Sequence, residues 1–352
     1  MGYHDRDGQG ILLIIGITFR LTLGADMYTD LLARLTAEHS ARLRAIDAVW
    51  APLPVPSVSP GTVVVPARAN AAAVVTTSTF AADTPATMWA TRVCHDITLR
   101  VGAAATDSDV VETLRLAISE ARRHDARTAR ADRPIPDDDR RISLVLPARD
   151  AELATAAARA GFRLLAVDGL KQLATITDPP VHAQDPAGQS APVKLFDAPG
   201  PDDVDPLTTA LFKLAMFDTS FTYGIIRDGL RDFIRKDAEA AVRAGAGWTQ
   251  VLRGEGQSLD AALVIVPPSQ EPWWSNGVDV GTSAYVSFAW TEPTLRGRGI
   301  ASAMLQAGER FAAAQGVDAL FISYAAGNPL SGPLWSRHGF RPLRSHWSMP
   351  LS

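Results

Sequence analysis

Residues 285–301 read YVSFAWTEPTLRGRGIA, and this stretch decides the fold of the second half of the chain. Its first six residues include bulky β-forming side chains, so they predict a strand, which Pro293 ends. Beyond the glycines, apolar residues recur at helical spacing, at Ile300, Met304, Ala307 and Phe311. The stretch therefore predicts a strand, a glycine turn and the N-terminus of a helix.

The glycine turn is suited to binding an anion. The first backbone N–H groups of a helix have no intrahelical partner, and the helix dipole adds partial positive charge there. Gly297 and Gly299 allow the backbone to approach a ligand closely, and Arg296 and Arg298 add two positive charges. The turn therefore indicates a site for a phosphate or pyrophosphate group.

Two motifs resemble those of the GCN5-related N-acetyltransferases, the GNAT superfamily. Arg296-x-x-Gly299-x-Ala301 is similar to the motif that holds the pyrophosphate of acetyl-coenzyme A in that family. Downstream, an asparagine, an aromatic residue and a Gly-Phe pair resemble the second family motif, at Asn328, Trp335, Gly339 and Phe340. The resemblance implies an α/β (α+β) fold, in which a mixed, mostly antiparallel central sheet is flanked by helices.

The resemblance also assigns residues to acetyl-coenzyme A, the implied cosubstrate. Backbone groups at the end of the central strand would bind the pantetheine arm and the thioester carbonyl, at Ala289, Trp290 and Thr291. The turn and the helix start would hold the pyrophosphate, at Arg296, Gly297, Arg298, Gly299, Ile300 and Ala301. Asn328 would hydrogen-bond the pantetheine arm, and Trp335 would pack against the cosubstrate.

Trp335 departs from the family pattern, which usually has a tyrosine there as general acid for the leaving thiolate. Because an indole does not release a proton usefully, the proton would come from water or from another group. Tyr324 is the candidate general acid, and an ordinary strand tyrosine is the alternative reading. For His338 we expect a surface or helix-capping role.

The sequence offers no clear general base. We expect Glu292 to be solvated. Asp279 either faces the acceptor site or is an exposed residue of a hairpin, and catalysis by positioning alone stays open. The regions that generally select the acceptor in this fold supply Phe217, Asp218, Phe221, Tyr223, Trp273 and Trp274. Core packing is the alternative for the phenylalanines.

The composition is that of a folded protein without an expected nucleic-acid partner. The chain has 352 residues, of which 47% are hydrophobic and 20% charged, and a formal charge of −4. Its one cysteine, Cys94, excludes an internal disulfide and a thiolate metal site, so no metal is predicted. The apolar patch at 11–24 is too short to span a bilayer. We expect a cytoplasmic monomer or homodimer without a membrane partner.

An internal repeat predicts two tandem domains. Residues 159–165, RAGFRLL, echo residues 337–343, RHGFRPL. In place of the arginine and glycine turn, the first half has VGAAATDSDVV, whose carboxylates Asp107 and Asp109 would repel a pyrophosphate. The predicted organisation is an extension at 1–26, a degenerate GNAT-like domain at 27–176, a linker at 177–192 and an acetyl-coenzyme A-binding domain at 193–352.

The leading hypothesis is transfer of an acetyl group from acetyl-coenzyme A to a primary amine. The acceptor is a small molecule, a peptide or a protein, and transfer is direct, in a ternary complex. A non-catalytic coenzyme A-binding module is the main alternative, and an interaction protein that keeps only the fold is the third.

Two further segments carry secondary-structure predictions. Residues 162–176 predict a hairpin or a pair of strands, and residues 223–245 predict a helix.

Overall fold

The structure is a computed structural model that describes residues 25–57, 62–67, 70–82, 84, 87, 90–128, 135–173, 196–222, 224–269 and 272–351. These residues form seven α-helices and ten β-strands, which divide into two compact units. The predicted linker at 177–192, nearly all of the predicted extension at 1–26, and Tyr223 lie outside the described residues.

The first unit comprises Met1–Ala82, Thr91–Leu164 and His346–Ser352. Its helices and strands are α1 (Ala25–Ile46), β1 (Thr62–Ala67), β2 (Ala71–Thr79), β3 (Val93–Val101), α2 (Asp107–Thr128), β4 (Arg140–Pro147) and α3 (Ala151–Ala160). Strands β1, β2 and β3 pair antiparallel, and β3 pairs parallel with β4. Apolar residues of α2, α3 and the sheet share one core, which includes Leu114, Ile142 and Leu153.

The second unit comprises Asp83–Ala90 and Leu165–Ser345. Its helices and strands are β5 (Arg163–Gln172), α4 (Val204–Thr219), α5 (Leu230–Ala244), β6 (Thr249–Arg253), β7 (Leu259–Val266), β8 (Ser283–Thr291), α6 (Ile300–Ala314), β9 (Ala319–Ala325), α7 (Ser331–Arg337) and β10 (Arg341–Pro350). The strand order is β5-β9-β8-β7-β6. Only β8 and β9 are parallel neighbours in this order.

The sheet of the second unit has two different faces. On one face, α6 and α7 cover a core that includes Leu263, Val286 and Ile322. On the other face, α4 and α5 cover a core that includes Val264, Phe288 and Trp290. Because side chains of a strand alternate between faces, β8 contributes to both cores.

The two units repeat one topology. Each has three antiparallel strands, a helix, a fourth strand parallel to the third, and a second helix, as β1-β2-β3-α2-β4-α3 and β6-β7-β8-α6-β9-α7. This repetition confirms the predicted fold class and tandem arrangement. The first half of the chain ends in β5 and the second half ends in β10, and both strands are divided between the two units. Residues 165–172 of β5 belong to the second unit, where this strand pairs with β9, and residues 346–350 of β10 belong to the first unit.

Two predicted elements were wrong. Residues 163–172 form one strand, not a hairpin, because Gly169 makes room for Ile322, whose Cγ1 would lie 2.9 Å from an added Cβ. Helix α5 begins only at Leu230, and residues 224–227 form no helix. In that segment the Nε of Arg227 donates to the carbonyl oxygen of Thr87 at 2.7 Å. This tertiary contact holds the chain outside the helix.

Candidate functional site

A fork opens between β8 and β9. The two strands pair from Ser283 to Val286, and Val286 opposite Ile322 is the last pair. Beyond it, β8 stays paired with β7 as far as Thr291, and β9 stays paired with β5 as far as Ala325. The facing edges of β8 and β9 are therefore not paired with each other over these last residues.

A β-bulge marks the start of the fork. In the ladder with β7, Ile265 faces Val286 while Val264 faces Phe288, so Ser287 is an extra residue in β8. A bulge bends its strand and increases the local twist, which turns β8 away from β9. The predicted contact residues Ala289, Trp290 and Thr291 follow the bulge and form one arm of the fork.

The β8 arm has positive charge on one side. The ring centre of Trp290 lies 5.8 Å from the Nζ of Lys213 and 5.4 Å from the Cζ of Arg296. The Nε of Arg296 also donates to the carbonyl oxygen of Thr291 at 3.1 Å. The buried hydroxyl of Thr291 has no hydrogen-bond partner among the described residues. An unpaired hydroxyl at the end of this arm is the kind of group that a bound polar ligand would satisfy.

The predicted glycine turn lies directly after this arm. Gly297 and Gly299 have φ angles of +77° and +76°, and no atom of the described residues lies within 4 Å of a Cβ added at either position. The glycines are therefore needed for the left-handed backbone conformation and not for packing. Gly299 is the N-cap residue of α6, and its neighbours Arg296 and Arg298 are exposed.

The N-terminus of α6 presents free backbone donors. Within the part of the chain that the structure describes, none of the N–H groups from Gly297 to Ser302 donates a hydrogen bond to the protein. These amides, the helix dipole and the two arginines together favour an anion.

His338, the C-cap residue of α7, lies beside the start of α6. The Oγ of Ser302 lies 2.9 Å from the Nε2 of His338. Burial and the charges of Lys171 and Arg337 lower the pKa of His338.

In the first unit, the helix start that corresponds to the N-terminus of α6 is that of α2, and an acidic side chain of α2 itself accepts hydrogen bonds there. The carboxylate of Asp109 accepts hydrogen bonds from the backbone N–H and the hydroxyl of Thr106, at 3.0 and 2.9 Å. Asp109 is buried, and Asp107 is also in the first turn of α2. A carboxylate at this position disfavours a second anion, and the loss of the pyrophosphate site in the first unit stays a prediction.

Asn328 lies just beyond the end of β9 and is 4% exposed. Its Oδ1 accepts from the backbone N–H groups of Leu330 and Ser331, at 2.9 and 3.3 Å. Its Nδ2 donates to the Oδ1 of Asp218, at the end of α4, at 2.9 Å. The side-chain amide of Asn328 thus joins the start of α7 to the end of α4, and its contact with a pantetheine arm stays a prediction.

Tyr324 and Trp335 lie on the α6 and α7 side of the sheet. Trp335 is 7% exposed and packs edge-on against Phe340, with ring centres 5.4 Å apart. Tyr324 follows Ile322 by two residues on the β9 arm, and its Cε2 would lie 3.6 Å from a Cβ on Gly332. Burial raises the pKa of Tyr324, so its phenol keeps a proton at neutral pH. The structure thus brings Tyr324 to the fork and places Trp335 in the core beside it.

The other candidate residues differ in their surroundings. Glu292 is 3.8 Å from the Nζ of Lys213, and Asp279 is exposed. Trp273 is 61% exposed, with its ring centre 5.1 Å from that of Tyr285.

Three features of the site were not predicted from the sequence: the bulge at Ser287, the contact of Lys213 with Trp290, and the hydrogen bond between Asp218 and Asn328. Each depends on tertiary pairing and has no local sequence signal.

Comparisons with known proteins identify the segment that carries the fork and the turn. Residues 264–340 match the family described as Acetyltransferase (GNAT) family. This match confirms the resemblance seen in the sequence for that segment. No curated protein matches the chain.

Several solved structures are similar to this chain. A GCN5-related N-acetyltransferase from Sphaerobacter thermophilus has 12% identity and a TM-score of 0.46, over 91% of this chain and 92% of its own. A tandem GNAT protein from the clavulanic acid biosynthesis pathway has 12% identity and a TM-score of 0.42, over 94% and 96%. A GNAT-family acetyltransferase from Colwellia psychrerythraea has 11% identity and a TM-score of 0.42, over 80% and 86%.

The described helices include none that combines the length and the apolar character needed to cross a membrane. Nor do the described residues contain a group of three or more His, Cys, Asp or Glu side chains placed to hold a metal ion.

Proposed function

We propose that this chain, in which residues 264–340 match the acetyltransferase (GNAT) family, is an acetyl-coenzyme A-dependent N-acetyltransferase. Its acceptor is a primary amine of a small molecule, a peptide or a protein, and transfer is direct, in a ternary complex. The observation that carries this proposal is the fork between β8 and β9, with unpaired backbone donors from Gly297 to Ser302 at one end.

The residues present fit the parts of acetyl-coenzyme A. Residues 296–301 form the glycine turn and the N-terminus of α6, and their backbone amides and two exposed arginines would bind the pyrophosphate. The fork offers unpaired strand edges to the amide groups of the pantetheine arm, and the unpartnered hydroxyl of Thr291 lies at its end. In this proposal Ala289, Trp290 and Thr291 line one arm, and Asn328 lies just beyond the end of the other.

Acetyl-coenzyme A supplies the thioester, and the protein supplies position and proton transfer. Holding the amine next to the thioester carbonyl replaces a bimolecular encounter by a reaction within the complex. Backbone N–H groups of the fork would stabilise the negative charge on the carbonyl oxygen in the tetrahedral intermediate. Tyr324 would give a proton to the leaving thiolate, since its phenol is protonated at neutral pH and lies on the β9 arm.

A second candidate function is a non-catalytic coenzyme A-binding module. The burial of Trp335 in the core favours this alternative, because the position that usually carries the general acid of the family holds an indole here. Both functions need the same cosubstrate site, and they differ in turnover.

The test is a transfer assay with acetyl-coenzyme A and a panel of primary amines, with peptide N-termini and lysine side chains included. Coenzyme A thiol and acetylated amine are measured in the same reactions. The proposal predicts equal amounts of both products with at least one amine. Saturable coenzyme A binding without transfer to any amine would favour the binding module, and absence of binding would contradict both functions.

A further inference from the structure

Side chains of helix α4 contact both sides of the fork. On the β8 side, the Nζ of Lys213 lies 5.8 Å from the ring centre of Trp290. On the β9 side, Asp218 accepts the hydrogen bond of Asn328, three residues after the last residue of β9. Lys213 and Asp218 are five residues apart, or about 7.5 Å along the helix axis. The last turns of α4 therefore lie across the open end of the fork.

Asp218 occupies a position that does not favour a carboxylate. It lies in the last turn of α4 (Val204–Thr219), where the helix dipole places partial negative charge. Burial raises the pKa of Asp218, and the hydrogen bond from Asn328 offsets part of this rise. The residue thus costs stability for the fold, as residues kept for function often do.

One oxygen of Asp218 is fixed and the other is available. Oδ1 accepts from Asn328, whereas Oδ2 has no hydrogen-bond or ion-pair partner among the described residues. Burial and the hydrogen bond from Asn328 are the two influences on the pKa of Asp218, so no described charged side chain of α4 or of the elements packed on it is paired with this carboxylate. The free oxygen can therefore accept a hydrogen bond from a bound ammonium group.

Apolar residues lie next to Asp218 in the chain and next to its partner Asn328. The rings of Phe217 and Phe221 meet edge-on, with centres 5.1 Å apart, and Phe221 is 3.4 Å from a Cβ placed on Gly327. Phe217 is 37% exposed, and Leu330, whose N–H bonds to Asn328, is 48% exposed. An accessible carboxylate among exposed apolar side chains matches a ligand with one ammonium group and an apolar body.

We propose that Asp218 is the general base of the transfer, that Asn328 positions it, and that the acceptor is a small primary amine with an apolar body resting on Phe217, Phe221 and Leu330. This inference rests on the proposed acetyltransferase function and names its acceptor class. The carboxylate first binds the ammonium form of the acceptor and then removes one proton, which leaves a neutral amine.

The remaining steps balance without another reactant. The amine nitrogen attacks the thioester carbonyl carbon, a C–N bond forms, and the C–S bond breaks with its electron pair on sulfur. The second nitrogen proton passes to the thiolate through Tyr324 or water, giving an amide and coenzyme A thiol. Asp218 returns its proton to solvent.

The test compares Asp218→Asn with Asp205→Asn, using 2-phenylethylamine as acceptor. An asparagine at 218 keeps an oxygen for Asn328 and loses only the charge, and Asp205 is an exposed aspartate in the first turn of the same helix. We expect Asp218→Asn to lower kcat about 100-fold or more, with unchanged acetyl-coenzyme A affinity and an equal or higher Tm. Asp205→Asn should keep the wild-type rate.

The pH profile separates a base from a structural residue. A carboxylate base must be ionised, so the wild-type rate should fall as pH falls through the raised pKa of Asp218. The residual activity of Asp218→Asn should lack this acidic limb. A wild-type rate and profile in this variant would overturn the role of Asp218 and leave the acetyltransferase proposal intact.

A second variant tests the acceptor class even if Asp218→Asn does not fold. We expect the wild type to prefer 2-phenylethylamine over propylamine, and Phe217→Ser to raise KM for the former by about tenfold, with little change for the latter. Equal use of both amines, or a preference for polar polyamines, would overturn the apolar acceptor. If the wild type binds acetyl-coenzyme A but acetylates no amine, the proposed function fails, and this inference fails with it.

Discussion

Val286 and Ile322 form the last residue pair between β8 and β9, and both side chains belong to the buried core beneath α6 and α7. The fork thus begins at a fixed, well-packed point of the sheet. The glycine turn follows the β8 arm after Thr291, and Asn328 follows the β9 arm after Ala325. A cosubstrate bound along this opening would meet the turn at one end and the acceptor region at the other.

Reversing the charge of the turn should remove cosubstrate binding. Arg296 and Arg298 are both exposed, and two glutamates in their place would repel a pyrophosphate next to the α6 N-terminus. We expect Arg296→Glu with Arg298→Glu to weaken acetyl-coenzyme A binding by at least about 100-fold. Equilibrium titration measures this loss.

A matched control carries the same change in charge elsewhere. Arg243 and Arg310 are exposed residues of α5 and α6 that lie outside the glycine turn. The double variant Arg243→Glu with Arg310→Glu should bind acetyl-coenzyme A nearly as well as the wild type. Equal losses in the two double variants would mean that the net charge of the protein, and not the turn, governs binding.

Removing the Tyr324 hydroxyl should slow turnover. Burial raises the pKa of this phenol, so it stays protonated at neutral pH and can supply a proton. We expect Tyr324→Phe to lower kcat by about 100-fold, the usual scale for general acid catalysis, with little change in KM. Tyr285→Phe is the control on the neighbouring strand. An unchanged kcat in Tyr324→Phe would assign the proton to water.

Trp335→Tyr should raise kcat if proton donation limits turnover. The new phenol would occupy the position that usually carries the general acid in the GNAT superfamily, which this segment resembles. Because Trp335 is nearly buried against Phe340, we expect the smaller ring to cost about 1–3 kcal/mol of stability. Steady-state rates and thermal melts measure the two effects. A folded variant with an unchanged rate would show that a sufficient donor is already present.

Stability should fall in acid through His39 of α1. Burial, followed by the charge of Arg100, lowers the pKa of His39 from 6.5 to about 4. Between these two values the unfolded chain therefore binds more protons than the folded chain. The contribution of His39 to the free energy of unfolding is fully present above pH 6.5 and declines as pH falls toward 4. Its contribution to this decline is about 3 kcal/mol.

Urea unfolding of the wild type and His39→Gln at several pH values measures this contribution. The difference between their unfolding free energies should shrink as pH falls through the window, because the variant has no imidazole to protonate. A constant difference between the two proteins across the window would contradict the assignment to His39.

The local signals of the second unit predicted its central elements well. The strand, the glycine turn and the α6 helix are each encoded by neighbouring residues, from the β-forming run at 285–290 to the glycines at 297 and 299. The repeat also predicted the tandem topology. Such features follow from spacing and backbone preference alone.

The details of the site depend on residues far apart in the sequence. The bulge at Ser287 exists only because of its pairing with β7, and Asn328 meets Asp218 across 110 positions. Gly169 suggested a turn because the sequence does not show that Ile322 fills the space beside it. Likewise, the segment before Leu230 has apolar residues, but Arg227 is held by a carbonyl of another segment.

The most direct test of the cosubstrate site is calorimetric titration of acetyl-coenzyme A into the wild type, Gly299→Val and Gly316→Val. Both glycines flank α6 and have positive φ, +76° and +78°, and no described atom lies within 4 Å of a Cβ added at either, so the two substitutions bring comparable backbone strain at opposite ends of one helix. We predict binding at about one site per chain in the wild type and Gly316→Val, with a loss of at least about 100-fold in Gly299→Val. Equal affinity in all three proteins, or no binding by the wild type, would contradict a cosubstrate site at the α6 N-terminus.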